Sequence, residues 1–94
     1  MNRILGALLA LSLLAFGSAQ EPVTIGVSIP AATHGWTGGV NWWAERTAAE
    51  LEARYPGLDF VINTASDPGE QANDLQDMVA IDGIDALVIL PFES

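Results

Sequence analysis

The sequence predicts an α/β fold in which three parallel strands alternate with two helices, in the order β-α-β-α-β. Three observations carry this prediction: alternating apolar and small residues from Val23, two stretches with apolar residues every three or four positions, and a continuous apolar run at 86–90. Right-handed crossovers make the strands parallel and put the first strand in the middle, with the other two on either side of it.

The first strand is predicted over 23–29 and the first helix over 38–55. Along the strand, Thr24, Gly26 and Ser28 alternate with branched apolar residues, so a helix can pack closely on that face. The helix has an apolar stripe that is expected to face the sheet, and Pro56-Gly57 ends it. The residues of this stripe are Val40, Trp43, Ala44, Thr47, Ala48, Leu51 and Tyr55.

The second strand is predicted over 58–63 and the second helix from Asp67 to about Asp82. Asp67-Pro68-Gly69-Glu70 is a helix-start signal, because the Asp67 carboxylate accepts free amide hydrogens, proline suits the first helical position and Glu70 completes a capping box. Gly83 is expected to close the helix. Its buried stripe is predicted to contain Ala72, Leu75, Met78 and Val79.

The third strand is predicted over 86–90, and Pro91 stops it. Its unbroken apolar composition is typical of a strand covered on both faces, yet the predicted topology puts it at the edge of the sheet. The sequence ends where a further helix would begin. We therefore favour an incomplete α/β domain, and a partner strand supplied from elsewhere is the alternative.

Residues 1–19 are predicted to be a signal peptide that is cleaved before Gln20. Arg3 precedes a 13-residue apolar run over 4–16, and Gly17-Ser18-Ala19 is a small-residue cleavage site. The alternative is a membrane anchor, but 13 helical residues span roughly 20 Å, short of the ~30 Å hydrocarbon core. We expect a periplasmic protein whose single domain, 20–94, does not insert into the membrane.

The charge of that domain excludes several partners. It holds two arginines, Arg46 and Arg54, against all twelve acids, so its net charge is −10. Nucleic acid and anionic lipid are therefore not expected to bind. The chain has no cysteine, which excludes disulfides, thiolate nucleophiles and the usual zinc sites.

The loop between the first strand and the first helix holds the candidate ligand-binding residues His34, Trp36 and Thr37. In open parallel sheets this loop lies at the carboxyl edge, where ligands bind. Trp36 is suited to an apolar face of a ligand and His34 to hydroxyl groups, so a sugar is the expected ligand. The alternatives are a core position for Trp36, a surface position for His34 and a helix cap for Thr37.

Three further residues near the start of the first helix have different expected roles. Trp43 is expected to be a structural residue of the buried stripe. Trp42 lies off that stripe, so it can face the cleft, a partner lobe or water. Asn41 can reach the cleft or solvent.

The chain resembles the periplasmic sugar-binding proteins of ABC importers, in the ribose and galactose branch. The resemblance spans Val23 to about Glu93 and covers only the opening part of the family's Rossmann-like amino-terminal lobe. It is carried by Thr24-Ile25-Gly26-Val27-Ser28 before an aromatic-bearing loop, by Asp67-Pro68 followed by Gln71, Asp74, Leu75 and Gln76, and by Asp85-Ala86-Leu87-Val88-Ile89 before a proline.

The resemblance implies that a monosaccharide or similar polyol binds between two lobes and that the protein then docks on a membrane permease. It places the family's amide ligand at His34 and its aromatic ligands at Trp36 and Thr37. Two of these three positions depart from the ribose-type pattern, which argues against ribose itself. The resemblance implies no cofactor.

An enzyme is not expected, because the sequence has neither a nucleophile elbow nor a phosphate-binding loop, and its one histidine has no carboxylate close in sequence. One alternative function is an extracytoplasmic sensory module that binds a ligand. The other is a truncated, non-functional reading frame.

Overall fold

The computed structural model describes residues 21–92, so the predicted signal peptide lies outside the described residues. The elements follow the predicted order: β1 is Val23–Pro30, α1 is Gly35–Arg54, β2 is Leu58–Ala65, α2 is Pro68–Ala80 and β3 is Ala86–Ile89. The three strands form one parallel sheet in the order β2-β1-β3. The α/β prediction and the strand order are confirmed, and the arrangement is consistent with the first β-α-β-α-β unit of a Rossmann-like sheet.

The central strand β1 is paired unequally with its two neighbours. It pairs with β2 along its whole length, from Val23 opposite Leu58 to Pro30 opposite Ala65. With β3 it pairs only from Ile25, opposite Ala86, to Ser28, opposite Ile89. The carboxyl ends of β1 and β3 therefore lie side by side at one edge of the sheet.

Helix α2 covers the small face of β1 at close range. A methyl group built on Gly26 would lie 2.9 Å from Met78 Sδ and 3.0 Å from Ile84 Cδ1, so the missing side chain is what admits the helix. Met78 is fully buried in this contact. The predicted close packing on the small residues of β1 is thus confirmed.

The buried stripe of α2 differs from the prediction by about one position. Met78 and Gln71 face inward, whereas Ala72 is exposed and Val79 is 69% exposed. The contact between Met78 and Gly26 sets the rotation of the helix, and it turns Val79 outward. The prediction that Ala72 and Val79 are buried is wrong.

Both ends of α2 follow the sequence signals. Asp67 Oδ1 accepts a hydrogen bond from the backbone N–H of Glu70 at 2.7 Å, and Glu70 Oε2 accepts from the N–H of Ser66 at 3.1 Å. The glutamate thus reaches the residue before the cap, not the cap itself. Gly83 follows the helix with φ +63°, a conformation that favours glycine.

The other face of the sheet is only partly covered by α1. Ala48 is buried there and Val27 and Ile29 lie beneath the helix, but Trp43 is 61% exposed and Val88 of β3 is 56% exposed. Among the described residues no second helix packs beside α1. The predicted burial of Trp43 is therefore wrong for this part of the chain, and the stripe residues Thr47 and Tyr55 are exposed as well. The predicted edge position of β3 is confirmed.

No helix within residues 21–92 is sufficiently long and apolar to cross a membrane.

Candidate functional site

A pocket of about 320 Å³ lies at the carboxyl edge of the sheet, between the loop that follows β1 and the segment that follows β3. Its walls contain the three predicted site residues, His34, Trp36 and Thr37, so the structure brings them together. No aspartate, glutamate, lysine or arginine lines it. The lining residues are Pro30, Ala31, Thr33, His34, Trp36, Thr37, Leu90, Pro91 and Phe92.

His34 stands at the amino terminus of α1, with an exposed side chain. Its backbone is extended, with φ −156°, and its carbonyl accepts the first helical hydrogen bond, from Gly38 N–H at 2.9 Å. Helix α1 therefore begins at Gly35 and not at Gly38 as predicted. This earlier start leaves the imidazole at the mouth of the pocket.

Thr37 holds the loop in shape through its hydroxyl. Oγ1 accepts hydrogen bonds from the backbone N–H of Thr33 at 3.1 Å and of His34 at 3.3 Å, and it donates to His34 O at 3.0 Å. A hydroxyl has one donor and two acceptor sites, so this one is fully used. Thr37 is 6% exposed. Its hydroxyl has no unused donor or acceptor site for the predicted contact with a ligand.

Trp36 lies at the border between the pocket and the exposed face of the sheet. Its side chain is 63% exposed and lines both the pocket and an adjoining apolar groove between α1 and β3. An indole in this position offers a flat apolar surface at the open side of the pocket. The core position considered for Trp36 is therefore not the one that it occupies.

Asn41 fixes the end of β1 to α1. Its Nδ2 donates to Pro30 O at 3.0 Å and to Thr37 O at 2.7 Å. The cleft and solvent were the two positions predicted for this residue, and the structure places it at neither. It anchors the carbonyl of the last residue of β1, next to the pocket.

The side-chain amide of Gln71 anchors the backbone of the segment that follows β3. The sequence does not predict a role in the site for this residue. Its Nε2 donates to Leu90 O at 2.9 Å and its Oε1 accepts from Phe92 N–H at 2.8 Å. The side chain is buried on the sheet-facing side of α2, at 6% exposure. The signal that could have found it is its position seven residues before Met78, on the same face of the helix.

An apolar groove of about 790 Å³ adjoins the pocket, between α1 and β3. Trp36 and Trp43 line it on the helix side, and Val88 and Leu90 on the strand side. Trp42 lies outside the groove, where it meets Trp43 edge to face at 4.7 Å between ring centroids and packs under the Arg46 guanidinium at 5.2 Å.

A carboxyl group with a raised pKa, that of Asp74, lies on α2, outside both cavities. Burial raises the pKa of Asp74 above its usual value, and the negative charges of Glu70 and Asp77 raise it further. Its Oδ2 is buried without a hydrogen-bond partner. Residues 21–92 contain no cluster of three or more histidine or acidic side chains that could hold a metal ion.

No protein-family model matches the chain, and no curated protein matches it in sequence.

Proposed function

We propose that this chain is the opening part of the amino-terminal lobe of a sugar-binding protein that delivers its ligand to an ABC importer. In this proposal the pocket around His34 and Trp36 is one wall of the ligand site. The observation that carries it is that both side chains are exposed at the carboxyl edge of a parallel sheet, around a pocket without a charged wall.

The chemistry of the pocket favours a neutral ligand with both polar and apolar surfaces. An anion would meet no lysine or arginine there, and a simple cation would meet no carboxylate. A neutral imidazole donates from one ring nitrogen and accepts at the other, which suits neighbouring hydroxyl groups. A monosaccharide or similar polyol has those hydroxyls and a flat face of C–H groups that can lie on the indole of Trp36.

The described residues form an open pocket on one lobe, and in this proposal a second lobe closes over the ligand. We propose that closure about a hinge between the lobes creates the form that the permease recognises. Thr37 acts in this scheme through the shape of the loop, with its hydroxyl bonded internally. Binding and release complete the proposed activity, without a chemical step.

The proposal includes export to the periplasm, based on the charged, apolar and small-residue segments of 1–19. Amino-terminal sequencing of the exported protein is expected to begin at Gln20. Recovery of the protein in the soluble cytoplasmic fraction with Met1 intact would overturn this part.

The binding test is calorimetry of the complete gene product that carries this sequence, against a panel of neutral pentoses and hexoses. We expect one sugar to bind and both Trp36→Ala and His34→Ala to weaken it by about tenfold or more, which is about 1.4 kcal/mol. The matched control is Trp42→Ala, because that indole is 52% exposed but lies outside the pocket. It is expected to leave the affinity unchanged.

Two results would contradict the proposal in different ways. Affinity within about twofold of the wild type in both site variants, or ~0.4 kcal/mol, would show that the site is elsewhere. Binding of an amino acid or peptide in place of every sugar would overturn the ligand class.

A further inference from the structure

We infer that Gln71 is a positioning residue of the proposed ligand site, because its side-chain amide sets the wall that faces His34 and Trp36. The inference rests on the proposed function and adds a determinant of its affinity. Gln71 does not line the pocket, but it bonds to Leu90 and Phe92, which do. Its effect on a ligand therefore passes through these two residues.

The geometry of the two hydrogen bonds makes this amide a clamp. It donates to Leu90 O at 2.9 Å and accepts from Phe92 N–H at 2.8 Å, so it holds the backbone on both sides of Pro91. Proline has no N–H of its own to continue the ladder with β1. The Gln71 amide thus takes over where strand pairing stops, just after the bond from Leu90 N–H to Ser28 O at 2.9 Å.

The position of the clamp allows it to set the spacing between the two walls of the pocket. Leu90, Pro91 and Phe92 form one wall of the pocket, and His34 and Trp36 belong to the other. Without the clamp, the described part of the segment after β3 keeps one backbone hydrogen bond to the sheet beyond Ile89, the one from Leu90 N–H. The spacing between the two walls would then vary, and a ligand would have to order them on binding.

The opposite wall is held by the same kind of device. Asn41 donates to Pro30 O and Thr37 O, so an amide from α1 secures the end of β1 as the amide from α2 secures the end of β3. Each amide reaches back from a helix to a strand exit that lines the pocket. This parallel arrangement indicates that the two exits are held as a pair.

The test compares Gln71→Met, which keeps the length of the side chain but removes both bonds, with the control Gln76→Met on the exposed side of the same helix. The complete gene product is used throughout. Three quantities are measured: affinity for the sugar identified above, hydrogen exchange at the Phe92 amide, and the thermal midpoint.

For Gln71→Met we expect about tenfold weaker sugar binding, measured well below the thermal midpoint, and about tenfold faster exchange at Phe92. Gln76→Met is expected to match the wild type in both. Gln71→Asn keeps an amide at this position but is one methylene shorter, too short to bond Leu90 O and Phe92 N–H together, so we expect intermediate values. This variant also serves as the test if Gln71→Met does not fold.

The outcomes separate the inference from the proposed function. If the wild type binds a sugar and Gln71→Met binds it equally well while only the thermal midpoint falls, Gln71 is merely structural and the inference fails alone. Unchanged exchange at Phe92 would overturn the clamp itself. If the wild type binds no sugar, the proposed function fails together with the ligand role of Gln71, and the exchange rates still report on the clamp.

Discussion

Asp85 and Thr24 are joined by two hydrogen bonds where β3 begins. The backbone N–H of Asp85 donates to Thr24 O at 2.7 Å, and Asp85 Oδ2 accepts from the backbone N–H of Thr24 at 2.8 Å. The carboxylate takes the part of a backbone carbonyl, so pairing with β1 starts before Ala86. A side chain thereby lengthens the contact of a strand that is only four residues long.

Replacing Asp85 with alanine is expected to lower the free energy of unfolding by about 1 kcal/mol, the usual value of one net hydrogen bond. Urea denaturation of the two proteins measures the difference. Asp82→Ala, an exposed acidic residue three positions earlier, is the matched control and is expected to stay within about 0.5 kcal/mol of the wild type. Equal effects of the two substitutions would mean that the bond to Thr24 contributes nothing.

Two glycine-to-alanine substitutions are expected to act in opposite directions. Gly26→Ala brings its new methyl group to 2.9 Å from Met78 Sδ, so we expect a loss of about 1–3 kcal/mol from overpacking. The loss should lie at the lower end because the contacting side-chain atoms of Met78 and Ile84 can shift. Gly38→Ala meets no atom within 4 Å inside helix α1, so we expect a gain of about 0.5–1 kcal/mol.

Thermal unfolding of both variants decides this prediction. A Gly26→Ala protein as stable as the wild type would show that α2 is not packed against β1 as the structure has it.

Asp74→Asn is expected to stabilise the protein at pH 7. Burial, Glu70 and Asp77 raise the pKa of this carboxyl, which means that the folded state favours its protonated form. The cost of ionising it is absent below the ordinary aspartate pKa, grows as the pH rises toward the raised pKa, and is complete above it. The advantage of the neutral amide should therefore be full at pH 7 and disappear as the pH falls to about 3.

Denaturation of both proteins at several pH values measures this difference. Asp59→Asn removes the same charge from an exposed position on β2 and controls for the change in net charge. A stability difference between Asp74→Asn and the wild type that is independent of pH would contradict the assignment.

The free edge of β3 is expected to cause self-association of residues 20–94, the chain that remains after removal of the predicted signal peptide. The outer edge of β2 is less able to pair with another strand, because Phe60 N–H already donates to Glu52 Oε1 at 2.9 Å and the charged Asp59 is exposed beside it. Within the described residues β3 pairs with β1 alone, and Val88 is 56% exposed. An open apolar edge strand of this kind invites pairing with another chain.

Sedimentation velocity over a range of concentrations tests this prediction. Val88→Lys is expected to weaken association by about tenfold or more, since a lysine on an edge strand opposes pairing. Val79→Lys, at an apolar position of α2 that is 69% exposed, makes the same chemical change away from the edge and is expected to have little effect. A wild-type chain that stays monomeric at all concentrations would overturn the prediction.

The sequence by itself determined the order of elements and the helix stops, because these depend on residues within a few positions of each other. Alternation over 23–29 identified β1, and Asp67 and Gly83 bounded α2 with the cap and the positive φ that the structure has. The predicted strand order, with β1 in the middle, is also the order that the structure has, although right-handed crossovers alone also permit a sequential order. The grouping of His34, Trp36 and Thr37 followed from their place in one loop.

Only the tertiary structure decided how the faces are covered and what holds the pocket. The contact of Met78 with Gly26 sets the rotation of α2. It is a steric fit between residues far apart in the sequence, so the spacing of apolar residues within the helix does not predict it. Likewise, the amide of Gln71 bonds to atoms 19 and 21 positions away, and that of Asn41 to a carbonyl 11 positions away. Such bonds form only when the sheet brings the ends of the strands beside the helices. In the sequence, an amide side chain that faces solvent looks the same as one that bonds to a strand, so the sequence does not predict these bonds.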